Sequence, residues 1–187
     1  MVAACVALPL DRPEVLRRLH GLRESKQLSS AARERWLAQL RSLPGVSIGV
    51  GWATVAEIER WNILRATHRA MERAVRRVSP PPDSLLVDGR PVPGLPYPSR
   101  AIVGGDRTCL SIAAASIVAK AVRDRFMIAL DRRYPGYGLA KHKGYGTPAH
   151  AQALAQLGPS PCHRKRFRPV LELATPSLFN SMPIRHR

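Results

Sequence analysis

A chain of 187 residues with 45% hydrophobic content is long enough for one globular domain with a sizeable core and too short to expect two. Thirty Lys and Arg against thirteen Asp and Glu give a formal charge of +17; self-repulsion at that charge costs stability, so a polyanion such as nucleic acid is the expected partner and a solvated basic surface the alternative. Cys5, Cys109 and Cys162 have no Cys-x-x-Cys spacing, which argues against a disulfide framework and a structural zinc site, and no apolar run approaches the roughly 18 residues of a membrane span, so a soluble cytoplasmic protein is expected.

Val2 to Leu8 is a short apolar run bounded by Pro9, the pattern of a strand buried on both faces. Val15 to His20 and Ala31 to Leu43 read as helices, the second with Ser30 as cap and Trp36, Leu37, Leu40 and Leu43 along one face. Pro44-Gly45 is a turn, and Val46 to Trp52 alternates as a strand does. Thr54-x-x-Glu57 is a capping-box signature. From Ile63 onward Ala66, Ala70, Ala74, Val75 and Val78 form an apolar stripe, while Arg65, Arg69, Arg73 and Arg77 repeat on another face that reads as solvated. Ser79 to Asp83 is proline-rich and ends the helix.

A strand then runs from Ser84 to Val87 and stops at Asp88-Gly89. A proline-rich loop from Arg90 to Arg100 leads to a short strand, Ala101 to Val103, followed by Gly104-Gly105-Asp106. The alanine-rich stretch Ser111 to Tyr134 is a helix, and Lys141 to Thr147 is a basic glycine loop. Thr147-Pro148 caps a last helix reaching Leu157. From Gly158 the tail shows little periodicity and carries the basic cluster His163 to Arg168, either a solvated tail or an extra phosphate contact. Alternating strands and helices indicate a layered α/β domain. Asp88 and Asp106, both at strand ends, would suit a divalent metal held against phosphate, although Asp-Gly alone is more often a turn. His142, His150 and His163 match no common ligand spacing with Cys162 and read as surface or phosphate-contacting groups. Ala113 to Ser116 read as packing.

The run Ser111-Ile112-Ala113-Ala114-Ala115-Ser116-Ile117-Val118-Ala119-Lys120, with Arg123-Asp124, Met127, Tyr134-Pro135 and His142-Lys143-Gly144-Tyr145-Gly146-Thr147, resembles bacterial ribonuclease HII, from Val2 to about Val170. The resemblance implies a ribonuclease H-like mixed sheet flanked by helices, a type 2 ribonuclease H domain over residues 1–170 and a C-terminal tail over 171–187. It implies an endonuclease that hydrolyses the RNA strand of RNA-DNA hybrids and nicks ribonucleotide-containing DNA duplex during ribonucleotide excision repair. The chain would act as a monomer without a membrane, using two Mg²⁺ or Mn²⁺ ions about 4 Å apart. Asp88 and Asp106 would be catalytic metal ligands. Tyr145 would stack on the sugar, and Lys143, Ser25 and Lys26 would bind substrate, with Glu24 replacing the family's aspartate and Gly104 its lysine.

The family opens with a strand running into Asp-Glu-Ala-Gly-Arg-Gly, and this motif is not in the sequence. Val2 to Leu8 would then match the second strand, and the central first strand would be missing. Its absence would separate the second and third strands from the fourth and fifth, leave backbone groups unsatisfied at about 1 to 3 kcal/mol each, and remove two of four carboxylates. The expectation is a start codon placed too far downstream, with little activity in the chain as written. The alternatives are a catalytically silent remnant or a basic nucleic-acid-binding protein.

Overall fold

The computed structural model describes residues 1–22 and 28–174. In chain order the elements are β1 (Val2–Ala7), α1 (Pro13–Arg18), α2 (Ser30–Ser42), β2 (Ser47–Trp52), α3 (Val55–Val75), β3 (Leu85–Asp88), β4 (Ser99–Ile102), α4 (Gly105–Thr108), α5 (Leu110–Arg133), α6 (Leu139–His142), α7 (Pro148–Leu157) and α8 (Arg168–Ala174). They form two compact units, Met1–Phe126 and the chain from Met127 on.

In the first unit β1 and β2 pair antiparallel, with Ala4 opposite Val50, and β3 and β4 pair parallel, with Asp88 opposite Ile102. The two pairs are separate two-stranded sheets, the division that the resemblance implies. Helix α3 lies directly on β2. A Cβ at Gly49 or Gly51 would come 1.9 Å from the Ala74 carbonyl oxygen or 2.0 Å from that of Ala70, and Ala66, Ala70 and Ala74 are fully buried. Small side chains on both elements are therefore what lets the two backbones meet. A second cluster joins Val6, Val15, Leu19, Leu37, Leu40 and Leu43 to Ala114 and Val118 of α5; burying each large aliphatic side chain stabilises the unit by about 1.5 to 3 kcal/mol.

Local chemistry sets the helix boundaries. The Thr54 hydroxyl accepts from the Glu57 N–H at 3.2 Å while the Thr54 N–H donates to the Glu57 carboxylate at 2.8 Å, the capping box expected there. Ser29, not Ser30, caps α2 by accepting from the Ala32 N–H at 3.1 Å. The two serines are adjacent, and backbone dihedrals rather than residue type select between them. Helix α3 breaks at Asn62 (φ 69°), whose side-chain oxygen accepts from the Arg65 N–H at 3.0 Å and starts a second helical stretch. That is why the apolar stripe begins at Ile63.

The arginine row on α3 is only partly solvated. Arg73 donates to the Trp52 carbonyl at 2.7 Å and pairs with Glu57, and Arg77 donates to the Val50 carbonyl and stacks over the Trp52 ring. These arginines satisfy strand carbonyls of β2, a use that periodicity along one helix cannot reveal.

In the second unit Tyr137, Leu139, Ala153, Leu154 and Val170 form the core. Helix α8 supplies Val170, and the sequence does not mark it because its apolar positions are too few to show a period.

Candidate active site

Strand β3 carries Asp88 at its last position, and the chain leaves through Gly89 (φ 88°), whose N–H donates to the Ile102 carbonyl at 2.9 Å. After β4, Gly104 takes a left-handed conformation (φ 68°) and turns the chain into α4. The next residue, Gly105, packs so closely that an added Cβ would lie 2.5 Å from Ile112 Cδ1. Its N–H donates to Asp88 Oδ1 at 2.9 Å. The two carboxylates are thus linked through one hydrogen bond and one peptide.

Their surroundings differ. Asp88 is exposed, whereas Asp106 is buried at 8% exposure. Asp106 lies in the first turn of α4 rather than at the strand end itself. No hydrogen bond or ion pair reaches it among the described residues. Neither Asp106 oxygen is among the fully buried unpartnered polar atoms of the described residues, so water still reaches the carboxylate, and carboxylate oxygens on two segments joined by the Gly105 hydrogen bond suit Mg²⁺ or Mn²⁺ by ligand type. No group of three or more His, Cys, Asp or Glu placed to hold a metal occurs among the described residues.

The glycine loop belongs to the second unit. Lys143 and Gly144 are both left-handed (φ 53° and 75°), and the Lys143 ammonium donates to the Ala140 carbonyl. Tyr145 is 58% exposed, with its N–H on the His142 carbonyl at 3.0 Å. Thr147 caps α7 by accepting from the His150 N–H at 3.2 Å, as its place before Pro148 predicts.

Two of the three histidines are not surface groups, and the third, His142, is half-buried. His150 and His163 are buried, at 6% and 7% exposure, and His142 stacks on His150 with ring centroids 4.2 Å apart. Burial pushes the His150 and His163 imidazoles below their ordinary value, with the neighbouring histidines adding to the effect. Spacings of eight and thirteen residues bear no regular relation to one helix, so the sequence gives no sign that the rings meet. The same holds for buried Asp124 of α5, which binds Arg33 of α2 at 3.0 Å and Lys120 at 2.7 Å. Of the other residues singled out by sequence, Asp88 and Asp106 are brought together in one unit, and Lys143 and Tyr145 in the other. Ser25 and Lys26 lie outside the described residues, as does the tail beyond Ala174.

Solved structures place this architecture in a known class. A ribonuclease H2 from Pyrococcus horikoshii OT3 is similar with a TM-score of 0.73 at 21% identity, over 93% of this chain and 97% of that one. The RNase HII of a PCNA:RNase HII complex from Archaeoglobus fulgidus has a TM-score of 0.74 at 22% identity, over 96% and 91%. The fold is therefore the mixed α/β fold of the type 2 ribonucleases H.

Sequence comparison is more specific. The family description for ribonuclease HII matches residues 1–170. Ribonuclease HII of Granulibacter bethesdensis is 52% identical over 92% of this chain and 78% of its own length, and that of Geobacillus kaustophilus 48% over 92% and 64%. The chain belongs to the ribonuclease HII family of endonucleases. No helix among the described residues is long and apolar enough to cross a membrane.

Proposed function

We propose that this chain hydrolyses the RNA strand of RNA-DNA hybrids and nicks ribonucleotides embedded in duplex DNA, as a cytoplasmic monomer in ribonucleotide repair. The observation that carries the reading is the link between the two carboxylate-bearing segments: Asp88 accepts the N–H of Gly105, the residue before Asp106, at 2.9 Å, and no protein group pairs with the Asp106 side chain among the described residues. Asp88 and Asp106 would hold Mn²⁺ or Mg²⁺. Bound ions supply activation of water and stabilisation of the leaving 3′ oxygen. The remaining work falls to the chain itself, with Lys143 neutralising phosphate and exposed Tyr145 offering its ring to the sugar beside the scissile bond. Ser25 and Lys26 extend the substrate contacts.

Two carboxylates offset only part of the charge of two dications, so metal binding and cleavage by these 187 residues are proposed to be weak. The net charge of +17 supports a second reading, a basic nucleic-acid-binding protein without cleavage. The test is Mn²⁺-dependent nicking of a duplex with one ribonucleotide, beside binding of hybrid and of plain DNA duplex. Slow nicking removed by Asp88→Asn supports the nuclease. Fast nicking removed by the same change would show that two carboxylates suffice. Equal, metal-independent binding of hybrid and DNA without cleavage would favour the second reading.

A further inference from the structure

We infer that His142, His150 and His163 form a positioning relay, three neutral rings each locked in one tautomer, that holds the Lys143–Tyr145 turn in its binding shape; the inference rests on the reading of Lys143 and Tyr145 as substrate contacts. The protons can be assigned from groups whose roles are fixed. A carbonyl oxygen only accepts, so His150 Nδ1, 2.9 Å from the Tyr145 oxygen, carries a hydrogen. The neutral ring then has a bare Nε2, and His163 Nε2 at 3.1 Å donates to it. His163 Nδ1 is left bare. That is the state required from the other end, because the Ser160 N–H donates to this atom at 3.1 Å and the Ser160 hydroxyl lies 2.8 Å from it. His142 follows the same logic, with Nε2 donating to the Tyr137 carbonyl at 2.7 Å and Nδ1 accepting from the Gly144 N–H at 3.1 Å.

The relay grips the turn between its two left-handed residues and just after them. Left-handed backbone is unfavourable for a lysine, yet Lys143 adopts it (φ 53°) next to left-handed Gly144. The Gly144 N–H is held by His142, and the Tyr145 carbonyl by His150 and by the Thr147 N–H at 2.9 Å. A proton added to any ring would set N–H against N–H, at His150 against His163, at His163 against Ser160, or at His142 against Gly144. The other ionisable groups around the stack are the Tyr137 phenol, bonded to the Gly158 carbonyl, the Cys162 thiol 3.8 Å from His163 Nδ1, and the Lys143 ammonium on the Ala140 carbonyl. None is a carboxylate, so among the described residues nothing there offsets a charge on the stack.

The first test uses the unmutated full chain. Imidazole ¹⁵N NMR at neutral pH should find hydrogen on Nδ1 of His150 and on Nε2 of His142 and His163; a charged ring, or hydrogen on His150 Nε2, would overturn the relay. The second is affinity for a short RNA-DNA hybrid as pH is lowered from about 7 to about 5. Added positive charge alone tightens binding to phosphates, whereas loss of the turn weakens it, so tighter binding on acidification counts against the relay. The third compares variants, with circular dichroism as the check on folding. His150→Phe, which keeps volume and loses the donor, should weaken hybrid binding about tenfold, the equivalent of one hydrogen bond. His150→Asn, which restores an N–H toward Tyr145, should recover to within about threefold. If Tyr145→Ala weakens binding and His150→Phe does not, positioning by the relay fails. If Tyr145→Ala binds like the unmutated chain, the substrate reading itself fails, and with it the purpose assigned to the relay.

Discussion

Two aspartates of the first unit have similarly low overall exposure, Asp106 at 8% and Asp124 at 4%, in regions that treat them in opposite ways. In α5, Asp124 is gripped by Arg33 at 3.0 Å and Lys120 at 2.7 Å, so it ties α5 to the start of α2. Beyond β4, Asp106 has no such partner among the described residues. Water reaches the oxygens of Asp106, whereas those of Asp124 are met by cations of the chain itself. Burial alone therefore does not mark a functional carboxylate. The absence of a protein partner at a carboxylate that water still reaches separates the strand-end region, open to a ligand, from the helix region, already complete.

The largest effect should come from breaking the complete site. Asp124→Ala strands two cations beside the core and should lower unfolding free energy by about 3 to 5 kcal/mol in denaturant titration. A loss below about 1 kcal/mol would mean that Asp124 is no more committed to the fold than Asp106. The open site should respond far less. Asp106→Asn removes a charge that has no protein partner and should leave the stability of the metal-free protein within about 0.5 kcal/mol, while abolishing the rise in melting temperature that Mn²⁺ gives the unmutated chain. If this variant without metal loses as much stability as Asp124→Ala, the contrast between the two regions is wrong. Asp88→Asn can still accept the Gly105 N–H, so stability should stay within about 0.5 kcal/mol and only the Mn²⁺ response should shrink.

The smallest effects are in pH, and they separate the units. For His150 and His163, burial lowers the folded values, so the unfolded chain binds protons first. Stability is complete above the ordinary imidazole range and falls as pH drops through it. Glu57 is held at about 2, against an ordinary 4.5, chiefly by its bond to Arg73. Its contribution is complete above the ordinary carboxylate range and fades as pH falls toward about 2. On acidification, hydrogen exchange should therefore rise in the glycine loop before it rises at the start of α3. The reverse order would remove the histidines from the stability of the loop.

Much of this was legible because it is local. The Thr54 box, the Thr147-Pro148 cap and the glycine turns after Asp88 and before Asp106 are set by residues within four positions of one another, and the resemblance to ribonuclease HII rests on contiguous motifs. What escapes the sequence shares one cause. The meeting of the histidines, the strand carbonyls that the arginine row satisfies and the partners of Asp124 are each defined by a residue far away in the chain. His150 meets His163 across thirteen residues, Arg77 meets Val50 across 27, and Arg33 meets Asp124 across 91.

By itself the sequence determined the strands and the longer helices, the family, and an aspartate at the end of β3 with another just after β4, because hydrophobic period, turn chemistry and caps act over a few residues. Only the tertiary structure decided which aspartate is satisfied, which histidines touch and how their protons are shared. Those properties depend on desolvation and on hydrogen-bond partners, and both are supplied by segments that meet only when the chain has folded.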